Sequence, residues 1–360
     1  MQALIVLTQP PLPEGGAPGR TAIGLLRGLA EHGVEVRAIA ARRTFSLPGE
    51  VPAGLPVEVV DVEPPGPVRA RVRRLTRPLG ELTGAFSERV RAAAAGADLV
   101  HLEETETVWC DEGIAKPSLV HLHYLARADR GLGRPWSKQF REVLDATRAE
   151  HAAVRRHRYL LASSPLVADA LRRSGARDVV VAPLSLDPAL YTPAPLDGPP
   201  TAGLIGTADW PPTASAFHLL LEDVWPRVKA PEAILVVAGR GTERFGGMGG
   251  VDSARELFQR FSLLLFPLPR GSGMKVKVLE SMASGVPVVT TPAGAEGIEP
   301  SDGVIVETEP DRLAAAASEL LTDEGARRQR GAAARADFER SYSPAPATEP
   351  LVELYKRMLA

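Results

Sequence analysis

The segment at residues 271–280 combines small residues, two positive charges and a carboxylate. It reads GSGMKVKVLE and directly follows a strongly apolar run, SLLLFPLP. A strand, a glycine-rich turn and a helix beginning near Gly273 would direct free backbone amides and the positive end of the helix dipole at a bound phosphate. The predicted phosphate site is lined by Ser272, Gly273, Met274, Lys275 and Lys277. Glu280 lies further along the helix, where its carboxylate can accept from two ribose hydroxyls. The alternative is a plain turn followed by a solvated helix face.

A second glycine loop lies near the start of the chain. Gly15 and Gly16 follow the apolar run ALIVLT and precede a helix that we expect to begin near Gly19. Without side chains, their backbone can approach a phosphate or a sugar closely. Arg20, at the helix start, can reach a phosphate or a carboxylate. A flexible loop with a surface arginine is the alternative for this segment.

Two histidines and two glutamates follow neighbouring strands. His121 and His123 end the run SLVHLHY and lie two residues apart, so their side chains lie on the same face of that strand. Glu103 and Glu104 follow the run DLVHLE and should point to opposite sides, where either can bind the hydroxyls of an acceptor. Each of the four also has a structural interpretation, as a packed histidine or as a capping or solvated glutamate. We expect no metal at the histidine pair, because the sequence shows no third ligand nearby.

The order of elements indicates the fold class. Short apolar runs alternate with helical segments in the first half, and the rhythm restarts after the proline-rich stretch PALYTPAPLDGPP with TAGLIGT, AILVVAG, SLLLFPLP, PVVTTP and GVIVE. This alternation predicts two α/β domains with parallel sheets, joined by that stretch as a linker. The predicted divisions are residues 1–190, residues 191–343 and a terminal helix at 344–360. Ligands of such sheets bind at the carboxyl ends of the strands, so we expect the active site between the domains.

Composition excludes several classes of function. The chain has 360 residues, and its 42 basic residues against 44 acidic ones leave a net charge of -2, so we expect no nucleic-acid partner. A single cysteine argues against a disulfide framework, and no apolar run reaches the roughly 20 residues needed to span a bilayer. We expect a cytoplasmic location, extending to the inner face of the membrane.

The stretch LLLFPLPRGSGMKVKVLESMASGVPVVTTPAGAEGI resembles the donor site of family 4 retaining glycosyltransferases. QPPLPEGGAPGR is similar to the glycine loop of that family, VVVAPLSLDPALYTP to its strand and turn before the linker, and PLVELYKRML to its final helix, which packs back on the first domain. The resemblance implies the GT-B fold, in which two Rossmann-like domains face each other across a cleft. It also implies transfer of a sugar from a nucleotide diphosphate sugar to a hydroxyl acceptor with retention of configuration, without a cofactor or an obligatory metal.

The resemblance assigns roles to single residues. His123 matches the histidine that contacts the transferred sugar, and we expect it and Lys275 to act in catalysis. Gly206 and Thr207 match a loop whose amides reach the diphosphate. Arg240 and Val251 lie where the family contacts the nucleotide base.

Two features depart from the family pattern. The loop GTADWPPTAS lacks the arginine and lysine with which many members neutralise the diphosphate, so we expect the lysines after Gly273 to replace them. Ser272 stands where many members have a glutamate, which indicates a different sugar contact. Two other functions stay open. One is a GT-B nucleotide sugar epimerase, which shares the cleft but needs acid and base groups around the sugar, and the other, suggested by these departures, is an inert protein that only binds a nucleotide sugar.

The stretch PVRARVRRLTRPLG holds five arginines between Arg69 and Arg77. A solvated loop is the simplest interpretation. The functional alternative is a contact with an anionic acceptor, a lipid phosphate or the surface of a membrane.

Overall fold

The computed structural model describes residues 1–44, 46–82 and 84–360, with the side chains of Pro67 and Arg69 left out. The chain forms two compact units. The first contains Met1–Ser185 together with Pro344–Ala360, and the second contains Leu186–Ser343.

The first unit is built on a seven-stranded parallel sheet with the strand order β3-β2-β1-β4-β5-β6-β7. Its strands are β1 (Gln2–Leu7), β2 (Glu35–Arg42), β3 (Val57–Asp61), β4 (Leu99–Glu103), β5 (Ser118–Leu122), β6 (Tyr159–Ala162) and β7 (Asp178–Val181). Its helices are α1 (Ala17–Glu31), α2 (Pro67–Thr76), α3 (Ala85–Ala94), α4 (Ala126–Arg130), α5 (Lys138–Arg156) and α6 (Pro165–Arg173). The chain order reverses between β1 and β4, so the loops after these strands meet at a topological switch point.

Successive side chains of the sheet enter two separate cores. On β1, Leu4 and Val6 pack into the core on one face, whereas Ile5 and Leu7 pack into the core on the other. This alternation follows from the two-residue period of a strand. The second core is completed by the terminal helix of the chain, which buries Leu351, Leu354, Tyr355 and Met358 in it.

The second unit has a five-stranded parallel sheet with the order β12-β11-β10-β8-β9. Its strands are β8 (Thr201–Ile205), β9 (Ile234–Ala238), β10 (Leu263–Phe266), β11 (Val288–Thr290) and β12 (Val304–Val306). Its helices are α7 (Pro211–His218), α8 (Ala254–Phe258), α9 (Val276–Ala283), α10 (Pro310–Thr322) and α11 (Glu324–Ser341), and α12 (Pro344–Leu359) belongs to the first unit. The order reverses between β8 and β10, so the loops that follow these two strands meet at the switch point.

The expected α/β class with parallel sheets is confirmed, since each apolar run named above became a strand. The proline-rich stretch lies within the second unit, where Asp187 accepts from the backbone N–H of Ala189 at 3.0 Å and begins a short 3₁₀ turn at Pro188–Leu190. Within the described part of the chain, no helix has the length and apolar character required to cross a membrane.

Candidate functional site

The turn between β10 and α9 differs from the predicted one in where its helix begins. Gly273 has a left-handed φ of 68°, and Lys275 is extended with φ -102° and ψ 106°, so α9 begins at Val276 with Lys275 as its N-cap. The helix start expected near Gly273 was therefore wrong. A sequence pattern that fits a helix does not reveal a left-handed glycine, and this glycine lengthens the turn. Ser272 and Met274 are buried within it.

Lys277 points toward the loop after β8. Its Nζ lies 3.4 Å from Thr213 Oγ1 and 4.4 Å from the centroid of the Phe266 ring. A Cβ built on Gly206 would lie only 2.9 Å from the same Nζ. The structure thus brings Lys277, Gly206 and the start of α7 together at the switch point between β8 and β10. Thr213 was missed by the sequence analysis, although it lies in the first turn of α7, the helix that follows the Gly206 loop.

Lys275 has a different environment from Lys277. Its ammonium group donates to the carbonyl oxygens of Ser272 at 2.6 Å and Gly273 at 2.7 Å, and thus closes the turn on itself. The two lysines were predicted to share one task. In this structure, Lys277 lies beside Gly206, and Lys275 binds its own turn.

Glu280 is not part of a solvated helix face, because only 1% of the residue is exposed. Tyr191 donates its hydroxyl hydrogen to Glu280 Oε1 at 3.2 Å. Arg335 in turn donates to the carbonyl oxygen of Tyr191 at 3.0 Å. A buried carboxylate held in this way has a fixed orientation, which suits a group that must meet two hydroxyls. Tyr191 was missed as a partner, since it lies far from Glu280 in the sequence.

The loops after β8 and β9 lie against each other. A Cβ on Gly239, whose φ is 118°, would lie 2.1 Å from the carbonyl oxygen of Gly206, so this approach requires glycine. Thr207 accepts from the backbone N–H of Trp210 at 3.1 Å, which turns the chain into α7.

Both residues expected near the base lie close to these loops. Arg240 is exposed, and its carbonyl oxygen accepts from the N–H of Ala208 at 2.8 Å. Gly239 donates to the carbonyl oxygen of Gly249 at 2.7 Å, which brings the loop containing the half-buried Val251 to the same edge.

In the first unit, four side chains form a buried cluster. His101 and Glu103 lie on one face of β4, and Glu103 is paired in register with His121 of the neighbouring β5. His123 follows directly after the end of β5. Glu103 Oε1 lies 2.8 Å from His101 Nε2 and accepts from His121 Nδ1 at 3.0 Å, and Oε2 accepts from His123 Nε2 at 2.6 Å. Tyr355 of α12 contacts His101 Nδ1 at 2.6 Å.

Glu103 is ionised in this environment. Burial alone would raise the pKa of its carboxyl, but the adjacent His121 and His123 and the contact with His101 outweigh burial and hold the pKa well below its usual range. The expectation that Glu103 caps a helix or is solvated was therefore wrong. The alternation of a strand places residues 101 and 103 on one face, which was the available signal for His101.

The argument used against a metal at the histidine pair also needs correction. His101, Glu103 and His121 offer possible ligand atoms that all lie within 4.8 Å of one another, so His121 has two possible co-ligands, neither of them His123. The two were overlooked because they lie on another strand.

Glu104 leaves the strand direction, with a left-handed φ of 66°. The prediction that it points opposite to Glu103 assumed an extended chain, which this φ excludes. Its carboxyl accepts from the Thr8 hydroxyl, and burial raises its pKa to about 7, despite the opposing effect of His123. It is a half-buried acid that changes its charge near neutral pH.

The first glycine loop is close to its predicted form. Helix α1 begins at Ala17, two residues before the expected Gly19, and Gly16 is its N-cap without a side-chain capping bond. Gly15 donates to the carbonyl oxygen of Leu12 at 3.0 Å, and Arg20 folds back to donate to the carbonyl of Gly15.

The arginine-rich stretch is helical over most of its length, so the simplest interpretation, a solvated loop, was wrong. It forms α2, on which Val68, Val72 and Leu75 are 76%, 58% and 70% exposed. These three positions share one side of a helix. Arg74 pairs with Asp145, and Arg77 pairs with Glu112 at 2.7 Å. The side chain of Arg69 lies outside the described residues.

Comparison with known proteins identifies two domains. A family model described as "Glycosyl transferase 4-like domain" matches residues 16–186, and one described as "Glycosyl transferases group 1" matches residues 199–323. A search of curated protein sequences finds no match.

Solved structures agree over nearly the whole chain. Sucrose-phosphate synthase from Thermosynechococcus elongatus has a TM-score of 0.74 at 17% identity, with 99% of each chain covered. HepE from Anabaena, solved with UDP and glucose, has a TM-score of 0.66 at 17% identity, covering 99% of this chain and 100% of that one. A mutant of TarM from S. aureus has a TM-score of 0.68 at 8% identity, covering 98% of this chain and 99% of that one.

At these identities, the likeness to solved structures shows the fold, and the two domain matches show the family. The chain therefore belongs to family 4 of the glycosyltransferases and has the GT-B fold.

Proposed function

We propose that this enzyme transfers a hexose from a nucleotide diphosphate sugar to a hydroxyl acceptor, with retention of the anomeric configuration. The observation that carries the donor assignment is the position of Lys277 beside Gly206 at the switch point of the second sheet. An ammonium group next to an approachable backbone, at the carboxyl ends of parallel strands, suits a diphosphate.

The donor contacts follow from the same region. Lys277 and the amides of Gly206, Thr207, Gly273 and Met274 bind the diphosphate. The buried Glu280, oriented by Tyr191, accepts from the ribose hydroxyls. The remaining donor contacts are assigned by the family resemblance: Ser272 to the sugar, Arg240 and Val251 to the base, and Gly15 and Gly16 to the diphosphate or the sugar.

Uracil is the first base to test. Structures of HepE are described in complex with UDP, with UDP and glucose, and with UDP-glucose, and the TarM mutant is described with UDP. A thermal shift screen of nucleoside diphosphates and nucleoside diphosphate sugars tests this choice. The true donor should raise the melting temperature most, since a ligand that binds the folded state stabilises it.

In the proposed reaction, the bond between the anomeric carbon and the diphosphate oxygen breaks as the acceptor oxygen bonds to that carbon. The hydroxyl proton of the acceptor passes to the leaving diphosphate. Negative charge that develops on the diphosphate is stabilised by Lys277, by the amides of the turn and by the dipole of α9. Lys275 contributes by holding the turn closed through the carbonyls of Ser272 and Gly273.

By the family resemblance, His123 contacts the transferred sugar, and Glu103, Glu104 and Arg20 are candidates for contacts with the acceptor. Glu103 is the weakest of these candidates, because its carboxylate already accepts from His121 and His123. Glu104 is the strongest, since its carboxyl loses its proton near neutral pH.

A panel of hydroxyl acceptors, analysed by proton NMR, tests the reaction. An α-linked donor should give an α-linked product, and a β-linked product would refute retention. Incubation of the donor alone separates the two rivals, because an epimerase would form a second sugar, whereas an inert binding protein would leave every mixture unchanged.

We also propose that transfer needs no metal, because Lys277 and the α9 dipole supply positive charge at the diphosphate. Activity should persist in excess chelator. Loss of activity that returns only with added magnesium or manganese would contradict this proposal.

Helix α2 has the residue types expected of a helix that contacts an anionic membrane surface. Its exposed apolar residues Val68, Val72 and Leu75 occur among arginines, the combination that binds acidic lipid headgroups and the upper acyl region. We propose weak peripheral binding of this helix to anionic bilayers.

Vesicle cosedimentation at low salt tests the membrane contact. Binding to vesicles rich in phosphatidylglycerol should weaken when Arg71 and Arg74 become serine, and also when Val72 and Leu75 become serine. The control variant replaces Arg172 and Arg173, which are exposed on α6, and thus removes the same charge elsewhere in the unit. Equal binding of all variants would refute the proposal.

A further inference from the structure

The buried cluster around Glu103 determines where the histidine protons lie. An ionised carboxylate has no hydrogen to give, so every ring nitrogen that hydrogen bonds to it must donate. His121 therefore carries its proton on Nδ1, and His123 carries its proton on Nε2. In the neutral rings, the opposite nitrogens, His121 Nε2 and His123 Nδ1, are then acceptors.

His101 lies beside the same carboxylate, and Tyr355 contacts its Nδ1 at 2.6 Å. Burial and the nearby Glu103 raise the pKa of Tyr355 well above its usual value, so its hydroxyl keeps a proton that it can donate to this nitrogen. His101 Nε2 lies 2.8 Å from Glu103 Oε1, which is close enough for an ion pair but lacks the geometry of a hydrogen bond. The rings of His121 and His123 each direct an N–H toward the carboxylate, at different oxygens.

The surroundings of His121 agree with this assignment. Its Nε2 is buried and has no hydrogen-bond partner among the described residues. A cavity of about 20 Å³ lies beside Glu103 and His121, with Thr21, Ser185 and Thr348 also in its wall. This volume fits one water molecule, which can donate to the free lone pair of His121.

We infer that Glu103 is a positioning residue, which fixes His123 in the tautomer whose Nδ1 accepts a hydrogen bond from a hydroxyl of the transferred sugar. This inference rests on the proposed function, because it takes from it the contact between His123 and the sugar. A lone pair attracts a neutral hydroxyl and repels a carboxylate. The buried negative charge of Glu103 acts in the same sense, so the preferred donors carry a neutral hexose and not a uronic acid.

A metal ion is the competing explanation for the cluster. The carboxylate oxygens lie 2.6 to 3.0 Å from the three ring nitrogens. The contacts of His121 and His123 are hydrogen bonds, and an N–H group accounts for each of these two. A metal would require His101 Nε2 and His121 Nδ1 to lose their protons and bind the ion through their lone pairs.

Two-bond proton–nitrogen NMR of the full chain with labelled histidine distinguishes these cases, because it reads the tautomer of each ring directly. His123 and His121 are identified from the variants His123→Gln and His121→Gln. We expect His123 protonated on Nε2 and His121 on Nδ1, and no stoichiometric metal in the same sample by elemental analysis. His123 protonated on Nδ1, or one bound zinc ion per chain, would overturn the inference. If a glutamine variant does not fold, the matching asparagine variant identifies the same signal in the wild-type spectrum.

The variant Glu103→Gln tests the cause. A glutamine amide offers one acceptor and one donor, so at least one ring must turn or change tautomer. We expect a mixed or reversed tautomer at His123. The control Glu112→Gln changes a half-buried carboxyl in the same unit and should leave the tautomer unchanged. An unchanged His123 tautomer in Glu103→Gln would refute the role of Glu103.

Hydrolysis of UDP-glucose to UDP and glucose provides the functional readout without a known acceptor. Glu103→Gln should lower kcat by about tenfold or more, as expected when a histidine is held in the wrong tautomer, while the affinity for UDP stays within about twofold. Glu103→Asp should recover part of the loss. If UDP does not bind the wild-type enzyme, the proposed function fails, but the NMR result still stands or falls independently.

Discussion

Removing the charge of Lys277 should weaken nucleoside diphosphate binding while sparing the nucleoside. The variant Lys277→Met keeps an unbranched apolar side chain over the Phe266 ring, which the ammonium group overlies at 4.4 Å. A Cβ atom placed on Gly206 would lie 2.9 Å from Nζ of Lys277. A phosphate bound at the Gly206 backbone would therefore contact the ammonium group directly.

The magnitude follows from this distance. Two unit charges about 4 Å apart interact by about 4 kcal/mol at an effective dielectric constant of about 20. Water replaces part of that interaction in the variant, so the net loss should match a charged hydrogen bond, about 1.5 to 3 kcal/mol. The expected loss of UDP affinity is therefore about 10-fold to about 150-fold.

Isothermal titration calorimetry with UDP, UMP and uridine measures this effect. The loss should be largest for UDP, smaller for UMP and absent for uridine, and it should shrink at high salt. The matched control is Lys229→Met, which removes an exposed lysine from the same unit. An equal loss for uridine and UDP would show that the variant perturbs the fold or the nucleoside contact, and would refute the charge argument.

Glu280→Ala should abolish detectable uridine binding and leave Tyr191 without its acceptor; calorimetry that finds unchanged nucleoside affinity would remove the ribose assignment. Glu150→Gln should stabilise the protein at alkaline pH. Burial raises the pKa of Glu150 from 4.5 to about 7, so the carboxyl ionises in the unfolded chain first as pH rises. The free energy of unfolding therefore falls by about 3 kcal/mol between about pH 4.5 and pH 7. Urea unfolding should therefore show the variant more stable at pH 8 and equal to wild type below pH 4.5; a constant difference would contradict this cause. Gly239→Ala should cost about 3 kcal/mol or more, because its Cβ would meet the carbonyl oxygen of Gly206 at 2.1 Å; a melting temperature like that of wild type would refute the clash.

The strands could be predicted from the sequence because each is a short apolar run between turn residues. Parallel strands buried on both faces give continuous apolar runs, and β10 with the sequence LLLF is the clearest example. The alternation of these strands with helical segments then predicted the α/β fold class. The start of α9 could not be predicted, because the left-handed Gly273 depends on how the turn packs.

The candidate site was predictable only where neighbours in sequence are neighbours in space. The glycine turn and the two lysines after it were found in this way. The contact of Lys277 with Gly206 and the bond from Tyr191 to Glu280 join residues far apart in the chain, and no periodicity reports such pairs. His101 was accessible through strand alternation, but its partner Tyr355 lies in the last helix.

The placement of α12 has a consequence for synthesis. This helix follows the whole second unit in chain order, yet it supplies Tyr355 and a layer of apolar side chains to the core of the first unit. On the ribosome, this face of the first sheet is therefore covered only by α1 and lacks its second helix until the second unit has been translated. During that interval, apolar side chains of the face stay exposed, which favours aggregation, and the second unit can fold before the first is complete.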